Sequence, residues 1–291
     1  MKPAPFRYIA PTTIEHALSL LAEHGDNAKI LAGGQSLVPA LNFRLARYDV
    51  VIDINRISQL AFIRHDNGIV RIGSMTRQRE IETSDLLARH APLLAEATRS
   101  IAHLPIRSRG TIGGSLSHAD PAAEYPAVAL ALDAELVIAH ASGQRRVPAR
   151  DFIVGPLETA LRPDELLIEI RIAARRADEG FAFEEISRRR GDFAVIGVAA
   201  AMSCADGCIS DARLAIFGLG DGPALADDAA RALIGHAADP ELFEQAGLAA
   251  AASVTTQGDL HATADYRTHL IQTLVPRVAG RAFRHAAGAS S

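Results

Sequence analysis

At residues 32–37 the chain reads Ala-Gly-Gly-Gln-Ser-Leu, at the end of a short apolar run of strand type that starts at residue 29. The two consecutive glycines, Gly33 and Gly34, permit positive φ and remove side-chain bulk, so that successive backbone N–H groups can point at one anion. Ser36 adds a hydroxyl donor. By itself this stretch also fits an ordinary tight turn, which is the main use of glycine.

A second stretch of the same kind, Gly-Thr-Ile-Gly-Gly-Ser at residues 110–115, follows about eighty residues later and continues into residues 116–124. Two separate diglycine segments with hydroxyl neighbours fit a ligand with a long polar spine, such as the diphosphate of a dinucleotide. Neither segment is the Rossmann fingerprint. The nearest match, Gly-Leu-Gly-Asp-Gly-Pro at residues 218–223, lacks the final glycine, and we interpret it as a turn at the end of a strand.

Around the two glycine stretches, the pattern of apolar residues predicts an α+β fold. Apolar positions at helical spacing from Ile14 to Leu21, with strand-type runs after them, indicate a small α/β subdomain over residues 1–56. Residues 57–176 combine strand and helix patterns into a mixed α+β subdomain, ending in a clear alternation from Leu166 to Ile172. We expect the two subdomains to form one ligand-binding domain over residues 1–176.

Residues 177–291 are predicted to form a second, C-terminal α+β domain. Strand-type segments at residues 181–187, 195–204 and 208–219 indicate a three-stranded antiparallel sheet. Helices follow it, and the last of them carries Tyr266, Leu270, Leu274 and Val278 at four-residue spacing.

The composition is that of an ordinary globular protein and narrows the classes of function. The formal net charge is −4 and charged residues make up 22% of the chain, so there is no basic footprint for nucleic acid. No apolar stretch is long enough to cross a bilayer, and the first residues contain no signal-peptide core. We therefore expect a cytoplasmic protein with no integral membrane segment.

The sequence offers neither a complete iron–sulfur site nor a convincing metal site. Its two cysteines, Cys204 and Cys208, are too few for a four-cysteine cluster, and the Asp-Gly turn between them indicates structural thiols on neighbouring strands. His118, Asp120 and Glu124 superficially offer metal ligands, but beside the second glycine stretch we expect a cofactor-binding or structural role. The first stretch falls one glycine short of the nucleophile elbow of a serine hydrolase. We predict no catalytic side chain and no metal ligand.

Both glycine stretches resemble the paired FAD motifs of the medium subunit of carbon monoxide dehydrogenase, in the molybdenum hydroxylase family. Asp-Pro-Ala-Ala-Glu at residues 120–124 and Arg-Arg-Gly-Asp-Phe-Ala at residues 189–194 resemble that subunit and also the flavin domain of xanthine dehydrogenase. The similarity extends from Pro-Phe-Arg-Tyr at residues 5–8 to Ala-Asp-Tyr-Arg at residues 264–267. By these motifs the chain is identified as a member of the family, in the role of its FAD-binding subunit.

The resemblance implies that the two glycine stretches together cradle the FAD diphosphate. Glu124 would lie near the ribityl and sugar hydroxyls, a role that suits a carboxylate acceptor. Ile101 and Ala102 would lie near the flavin or the adenine, and Leu166 or Leu167 would cover part of the cofactor. The full set of expected cofactor-binding residues is Ala32, Gly33, Gly34, Gln35, Ser36, Leu37, Ile101, Ala102, Gly110, Thr111, Gly113, Gly114, Ser115, Ser117, Asp120, Glu124, Leu166 and Leu167.

Two positions depart from the family pattern. Ser115 stands where relatives often have asparagine, so a side-chain amide contact is not carried over. Glu184 occupies a position that resembles a lysine near the flavin in eukaryotic xanthine dehydrogenases, and the reversed charge means that the role of that lysine is not carried over either.

The implied function is electron relay within a larger complex. A large partner subunit would hydroxylate the substrate on its molybdopterin cofactor, and [2Fe-2S] clusters in a small partner subunit would reduce FAD bound non-covalently here. The electrons would then leave to NAD⁺, a quinone, oxygen or a carrier protein. We expect a dimer of heterotrimers, with the basic segments at residues 107–109 and 188–190 as candidate partner surfaces. Two alternatives are a stand-alone FAD-dependent oxidase and a non-catalytic nucleotide-binding module.

Overall fold

A small parallel sheet organises the N-terminal subdomain of the computed structural model, which describes residues 2–288. Its strand order is β1-β3-β2, and the carboxyl end of β2 leads directly into the first glycine stretch. The helix α1 begins after Thr13, whose hydroxyl accepts a hydrogen bond from the N–H of His16 at 3.2 Å. The elements are β1 (Arg7–Ile9), α1 (Ile14–His24), β2 (Ala28–Leu31), α2 (Leu37–Asn42) and β3 (Val50–Asp53), with short 3₁₀ turns at Gly25–Asn27, Ile54–Arg56 and Ser58–Leu60.

The middle subdomain is a five-stranded antiparallel sheet covered on one side by short helices. Its strand order is β4-β5-β10-β6-β7. A separate two-stranded sheet, β8-β9, comes after β7 in the chain. The elements are β4 (Ile63–Asp66), β5 (Ile69–Gly73), α3 (Gln78–Glu82), α4 (Asp85–His90), α5 (Pro92–Thr98), α6 (Leu104–Arg107), α7 (Ile112–His118), α8 (Glu124–Ala131), β6 (Glu135–His140), β7 (Gly143–Pro148), α9 (Ala149–Phe152), β8 (Ile153–Gly155), β9 (Glu158–Thr159) and β10 (Leu166–Ala173).

The C-terminal domain is an antiparallel sheet with helices packed on its outer face. The three predicted strands are present, and a two-residue strand at the edge makes the sheet four-stranded, in the order β11-β12-β13-β14. That last strand is too short for an alternating pattern to reveal it. The elements are β11 (Glu179–Ser187), β12 (Ala194–Ala205), β13 (Cys208–Phe217), β14 (Ala224–Leu225), α10 (Asp227–Leu233), α11 (Pro240–Ser253) and α12 (Ala264–Ala286).

Three buried apolar clusters join these units into successive layers. The first joins the N-terminal sheet to one face of the middle sheet, where Ile52 packs with Val137 and Ile168. The second lies between the middle sheet, its helices and one face of the C-terminal sheet. The third lies between the other face of the C-terminal sheet and α10–α12. The α+β fold is as predicted, whereas the domain boundaries at residues 56/57 and 176/177 stay predictions.

The turn chemistry read from the sequence is confirmed at two places. Asp206 and Gly207 have φ of +51° and +79°, as a two-residue hairpin of type I′ requires, and Cys204 and Cys208 on the flanking strands are free thiols. Gly218, at the end of β13, has φ of +81°, so the Gly-Leu-Gly-Asp-Gly segment is a turn that follows a strand.

Candidate cofactor-binding site

The two glycine stretches lie against each other, although about eighty residues separate them. A Cβ atom added to Gly33 would lie 2.5 Å from the carbonyl oxygen of Arg109 and 2.8 Å from Cα of Gly110. A Cβ atom added to Gly114 would lie 3.5 Å from Cβ of Ala32. The absence of side chains is therefore what lets the backbones meet, and the prediction that the two stretches form one site is consistent with this geometry.

The first stretch presents a row of backbone N–H donors that the described residues leave without a protein acceptor. Among residues 2–288, no protein acceptor takes a hydrogen bond from the N–H groups of Gly33, Gly34, Gln35 or Ser36. Gly34 has φ of +74°, a conformation that favours glycine and turns successive N–H groups toward the same side. The Gln35 side chain donates back to the Gly33 carbonyl at 3.0 Å and so fixes the loop. Such a row of N–H groups matches the oxygens of a diphosphate.

The second stretch has a different local structure, because it is the first turn of α7. Thr111 caps the helix, and its hydroxyl accepts a hydrogen bond from the N–H of Gly114 at 3.1 Å. The N–H of Gly113 donates to the Ser74 carbonyl at 2.9 Å, and that of Ser115 donates to the Thr111 carbonyl at 3.1 Å. The backbone donors of this stretch are thus engaged within the protein. What it offers to a ligand is the hydroxyls of Ser115 and Ser117, both half-buried.

Positive φ is needed at only one of the four glycines that form the two pairs. Gly34 has it, whereas Gly33, Gly113 and Gly114 do not. Gly113 is required for close packing, since its added Cβ would lie 2.4 Å from Cβ of Ser74. The expectation of the same loop device in both stretches is therefore wrong for the second one, where helix formation satisfies the backbone instead.

Three polar residues that the sequence analysis did not select hold the meeting point together. Asn55 donates to the Ala32 carbonyl at 2.9 Å, and Arg77 donates to the Asn55 side-chain oxygen at 2.6 Å. Arg77 also donates to the carbonyl of Arg109, and burial lowers its pKa. Asp53 accepts from the N–H of Asn55 at 2.9 Å. The sequence signal for them is that Asp53 ends the buried parallel strand β3 and Asn55 follows it, because ligands bind at this edge of open α/β sheets.

An open cleft lies along this edge. It is bounded by the carboxyl ends of β2 and β3, by α2, and by the backbone that leads into α7. Its lining residues are Leu31, Ala32, Gly33, Gly34, Gln35, Val38, Pro39, Asp53, Asn55 and Arg109.

Ile101 and Ala102 lie in a tight loop that an arginine holds in place. Ala102 has φ of +41°, and the carbonyls of Ile101 and Ala102 accept hydrogen bonds from Arg107 at 2.7 and 3.0 Å. Arg107 also forms a bidentate ion pair with Glu82, at 3.0 and 3.2 Å. A Cβ atom added to Gly191 would lie 3.0 Å from the Ala102 carbonyl oxygen, so the loop at residues 188–193 borders this position.

The structure changes the interpretation of the first basic segment. The Arg107 side chain is only 11% exposed and is fully engaged with Glu82 and the two carbonyls, so it is not a free docking residue. Arg109 is exposed. At the second basic segment, Arg188 and Arg189 are exposed and lie 3.5 and 3.9 Å from the Asp192 carboxylate.

Glu124 is the first residue of α8 and is buried, with 5% of its surface exposed. Burial, followed by repulsion from Glu185, raises its pKa to about 8. Burial likewise raises the pKa of Glu185 to about 7. Asp120 instead accepts a hydrogen bond from the N–H of Ala122 at 2.9 Å and holds the turn that precedes the helix. A buried carboxylate without a strong donor is suited to accept hydrogen bonds from ligand hydroxyls.

Leu166 and Leu167 are buried in the strand β10 and face opposite ways. Leu166 packs in the cluster beneath the N-terminal sheet, and Leu167 packs in the cluster of the middle subdomain. Their contact with a cofactor stays a prediction.

Comparison with known proteins identifies the chain. Residues 4–174 match the family model described as the FAD binding domain in molybdopterin dehydrogenase, and residues 181–282 match the CO dehydrogenase flavoprotein C-terminal domain. The chain belongs to this family. It is an FAD-binding subunit of the molybdenum hydroxylase type, an oxidoreductase subunit whose cofactor is FAD.

Two relatives match this chain over nearly their whole length. The 6-hydroxypseudooxynicotine dehydrogenase complex subunit alpha of Paenarthrobacter nicotinovorans is 41% identical over 292 residues, which cover 98% of this chain and 97% of that protein. The carbon monoxide dehydrogenase medium chain of Hydrogenophaga pseudoflava is 36% identical over 287 residues, covering 99% of this chain and 100% of that one.

A solved structure confirms the fold. A chain of the carbon monoxide dehydrogenase from Hydrogenophaga pseudoflava, in a form lacking the Mo-pyranopterin moiety, superposes with a TM-score of 0.96 and 38% identity. The match covers 98% of this chain and 99% of that one. Within residues 2–288 no helix has the length and hydrophobicity needed to cross a bilayer.

Proposed function

We propose that FAD binds across the line where the two glycine stretches meet, with its diphosphate against the N–H groups of residues 33–36. The free donor row at Gly33, Gly34, Gln35 and Ser36 is the observation that carries this placement. Leu37 continues the backbone into α2. On the other side, Gly110 and Gly114 border the first stretch, Gly113 packs against Ser74, and Ser115 and Ser117 supply hydroxyls.

The other proposed contacts with FAD are made by the expected residues outside the two glycine stretches. Glu124 accepts hydrogen bonds from ribityl or sugar hydroxyls, with Asp120 holding the turn before it. Ile101 and Ala102, fixed by Arg107, border the flavin or the adenine. Leu166 or Leu167, which face opposite sides of β10, covers part of the cofactor.

The role of the chain is to hold and orient the cofactor between an electron donor and an electron acceptor. When bound, FAD supplies the redox chemistry, accepting electrons from one partner and passing them to another. The chain's residues bind the diphosphate and place hydrogen-bond acceptors beside the hydroxyls. Transfer of electrons alone requires no nucleophile or acid–base pair, which agrees with the donor-rich but otherwise unreactive character of the cleft.

The electrons enter from [2Fe-2S] clusters on a small partner subunit and originate at a molybdopterin cofactor on a large one, in a dimer of heterotrimers. The full-length match to a protein whose name describes a subunit of a dehydrogenase complex supports partner chains. Arg109 and the loop at residues 188–190 are exposed and form the proposed partner surface. The complex works in the cytoplasm, a location supported by the free thiols of Cys204 and Cys208 on adjacent strands.

Co-purification tests this proposal against the two alternatives. The tagged chain, isolated from its native host, should bring down a large and a small chain, and the eluate should contain molybdenum, iron and FAD. Acid denaturation followed by filtration should release all the flavin, because the binding is non-covalent. Recovery of the chain alone with full substrate turnover would establish a stand-alone oxidase, and a chain that never binds flavin would establish a nucleotide-binding module of another kind.

A further inference from the structure

A buried arginine on the last helix bonds to the ends of two strands in the C-terminal sheet. Arg267 of α12 is only 5% exposed. Its Nη1 atom donates to the carbonyl of Val195 at 2.9 Å and also to the carbonyl of Gly218. Its Nη2 atom pairs with the Asp259 carboxylate at 2.6 Å. Burying a charge is unfavourable unless the group is paired and hydrogen-bonded, so these three acceptors are what keep Arg267 inside the protein.

Val195, the first acceptor, is the extra residue of a β-bulge. Where β11 pairs with β12, the register shifts after Ile186 and passes over Val195. The pairing of β12 with β13 ends at Gly197. Val195 therefore has no partner residue in either neighbouring strand, and Arg267 supplies a donor to its carbonyl. A bulge bends the strand that contains it, and the segment that this bend directs is the preceding loop at residues 188–193.

Gly218, the second acceptor, meets Val195 at the point where β13 ends. Its φ is +81°, and an added Cβ atom would lie 2.5 Å from the Val195 carbonyl oxygen. The N–H of Gly218 donates to the Pro121 carbonyl at 3.0 Å, in the turn at residues 119–123 between α7 and α8. Gly218 is thus bonded through its carbonyl to Arg267 and through its N–H to that turn.

Both of these segments border the proposed cofactor site. The turn at residues 119–123 contains Asp120 and leads directly into Glu124 at the start of α8. The loop at residues 188–193 borders Ala102, since a Cβ atom added to Gly191 would lie 3.0 Å from the Ala102 carbonyl oxygen. Arg267 is therefore linked by one strand end to each of the two segments.

The guanidinium group suits this arrangement better than an ammonium group does. Its donors lie in one plane in fixed directions, so they hold two carbonyls and a carboxylate at fixed positions relative to one another. Asp259 is itself held by the N–H groups of His261 and Ala262, at 2.7 and 3.0 Å. A lysine at the same place would present a point charge on a flexible stem.

We propose that Arg267 is a positioning residue for bound FAD. It acts without touching the cofactor, by holding the bulge at Val195 and the turn at Gly218. Through them it fixes the loop at residues 188–193 and the turn at residues 119–123 in the arrangement that the cofactor requires. The C-terminal domain thereby contributes to the flavin site through one side chain. This inference rests on the proposed function, which places FAD beside Ala102 and Glu124.

Replacing Arg267 by methionine tests the proposal in the complex purified from its native host. Arg267→Met keeps an unbranched side chain but removes every donor, so the two carbonyls lose their common partner. The dissociation constant of FAD, measured by the fluorescence of flavin released on dilution, should rise about tenfold. The visible circular dichroism of the flavin at saturating FAD should also differ from that of the wild type. This second measurement reports the surroundings of the bound flavin and does not depend on the stability of the fold alone.

Arg281→Met is the matched control. Arg281 lies on the same helix, donates to the Phe183 carbonyl and pairs with Glu96 at 3.3 Å, so its partners lie on β11 and α5 and not at the bulge or the turn. This variant should be less stable in urea, but its FAD dissociation constant should stay within about twofold of the wild-type value.

Arg267→Lys is the second variant at the same position. It keeps a positive charge beside Asp259 but does not hold both carbonyls in a fixed geometry. Its FAD dissociation constant and flavin circular dichroism should lie between those of the wild type and those of Arg267→Met. If Arg267→Met does not fold, this variant decides alone, and wild-type values of both quantities overturn the inference.

The outcomes separate this inference from the proposed function. An Arg267→Met complex that is less stable in urea but has wild-type FAD affinity and wild-type flavin circular dichroism overturns the inference, while the proposed function stands. An equal loss of FAD affinity in Arg281→Met also overturns it, because the effect then follows from stability. A wild-type complex that contains no FAD contradicts the proposed function itself.

Discussion

Substituting Gly33 by alanine tests the meeting of the two glycine stretches most directly. The added methyl carbon would lie 2.5 Å from the Arg109 carbonyl oxygen and 2.8 Å from Cα of Gly110. Both are backbone atoms, so no side-chain rotation relieves the contact, and the two segments must move apart. Gly33 does not have positive φ, and the expected effect therefore comes from this contact and not from backbone strain.

The magnitude follows from the cost of placing a methyl group where no space exists. Overpacking of this kind costs about 1–3 kcal/mol. If the flavin-free chain relaxes by separating the stretches, binding must pull them together again, and FAD affinity falls by about five- to 140-fold. If it does not relax, the same free energy appears as a lower stability to unfolding.

Flavin fluorescence titration measures the change in FAD affinity, and urea denaturation measures the change in stability, so the two together detect either effect. Gly155→Ala is the matched control, because its added Cβ meets only the Glu158 carboxylate at 3.8 Å, an ordinary contact, and its φ is not in the left-handed region. Wild-type affinity and wild-type stability in Gly33→Ala would show that the stretches do not touch as described, and would refute the placement of the cofactor between them.

Three further predictions follow from contacts around the cleft. Arg107→Ala should lower the free energy of unfolding by about 2 kcal/mol in urea denaturation, because the largely buried carboxylate of Glu82 loses its bidentate partner; a change below about 0.5 kcal/mol would contradict this. Asn55→Ala should weaken FAD binding about tenfold in fluorescence titration, since it frees the Ala32 carbonyl, with unchanged affinity as the contrary result. The pKa of Glu124 is higher in the folded chain than in the unfolded one, so the flavin-free chain should lose stability as the pH rises from about 5 to 8. Glu124→Gln should make this loss smaller, as measured by thermal melts at pH 6 and 8.5. An identical dependence of stability on pH in the variant would exclude Glu124 as the cause.

Local chemistry is sufficient to predict the main strands, whereas the meeting of the two glycine stretches, about eighty residues apart, is implied by the resemblance to the family. Alternation identifies β10, and the Asp-Gly turn identifies the hairpin between β12 and β13. The diglycine segments stand out because their geometry excludes side chains. The two-residue strand β14 has no such local signal and depends on tertiary pairing with β13.

The sequence is less informative about which polar groups are already satisfied. The stretch from Thr111 to Ser115 has the composition of an anion-binding loop, yet it forms a capped helical turn whose N–H groups are engaged. Arg107 belongs to an apparently solvated basic run, yet it holds two carbonyls and Glu82 in place. In both cases the deciding partner is distant in sequence or lies in the backbone, so composition does not reveal it.

Strand register explains why Glu184 and Glu185 have different roles although they are adjacent and chemically identical. Resemblance to relatives draws attention to Glu184, but the pairing of β11 with β12 directs this residue to α12, where Arg277 and Arg281 neutralise its charge. The regular pairing continues as far as Ile186, so no bulge intervenes to change the facing of Glu185. A shift of one residue would place the neutralised carboxylate beside the cofactor domain and the unpaired one beside the arginines. The register of the C-terminal sheet therefore decides which of the two adjacent glutamates faces the middle subdomain, and residue types alone do not show it.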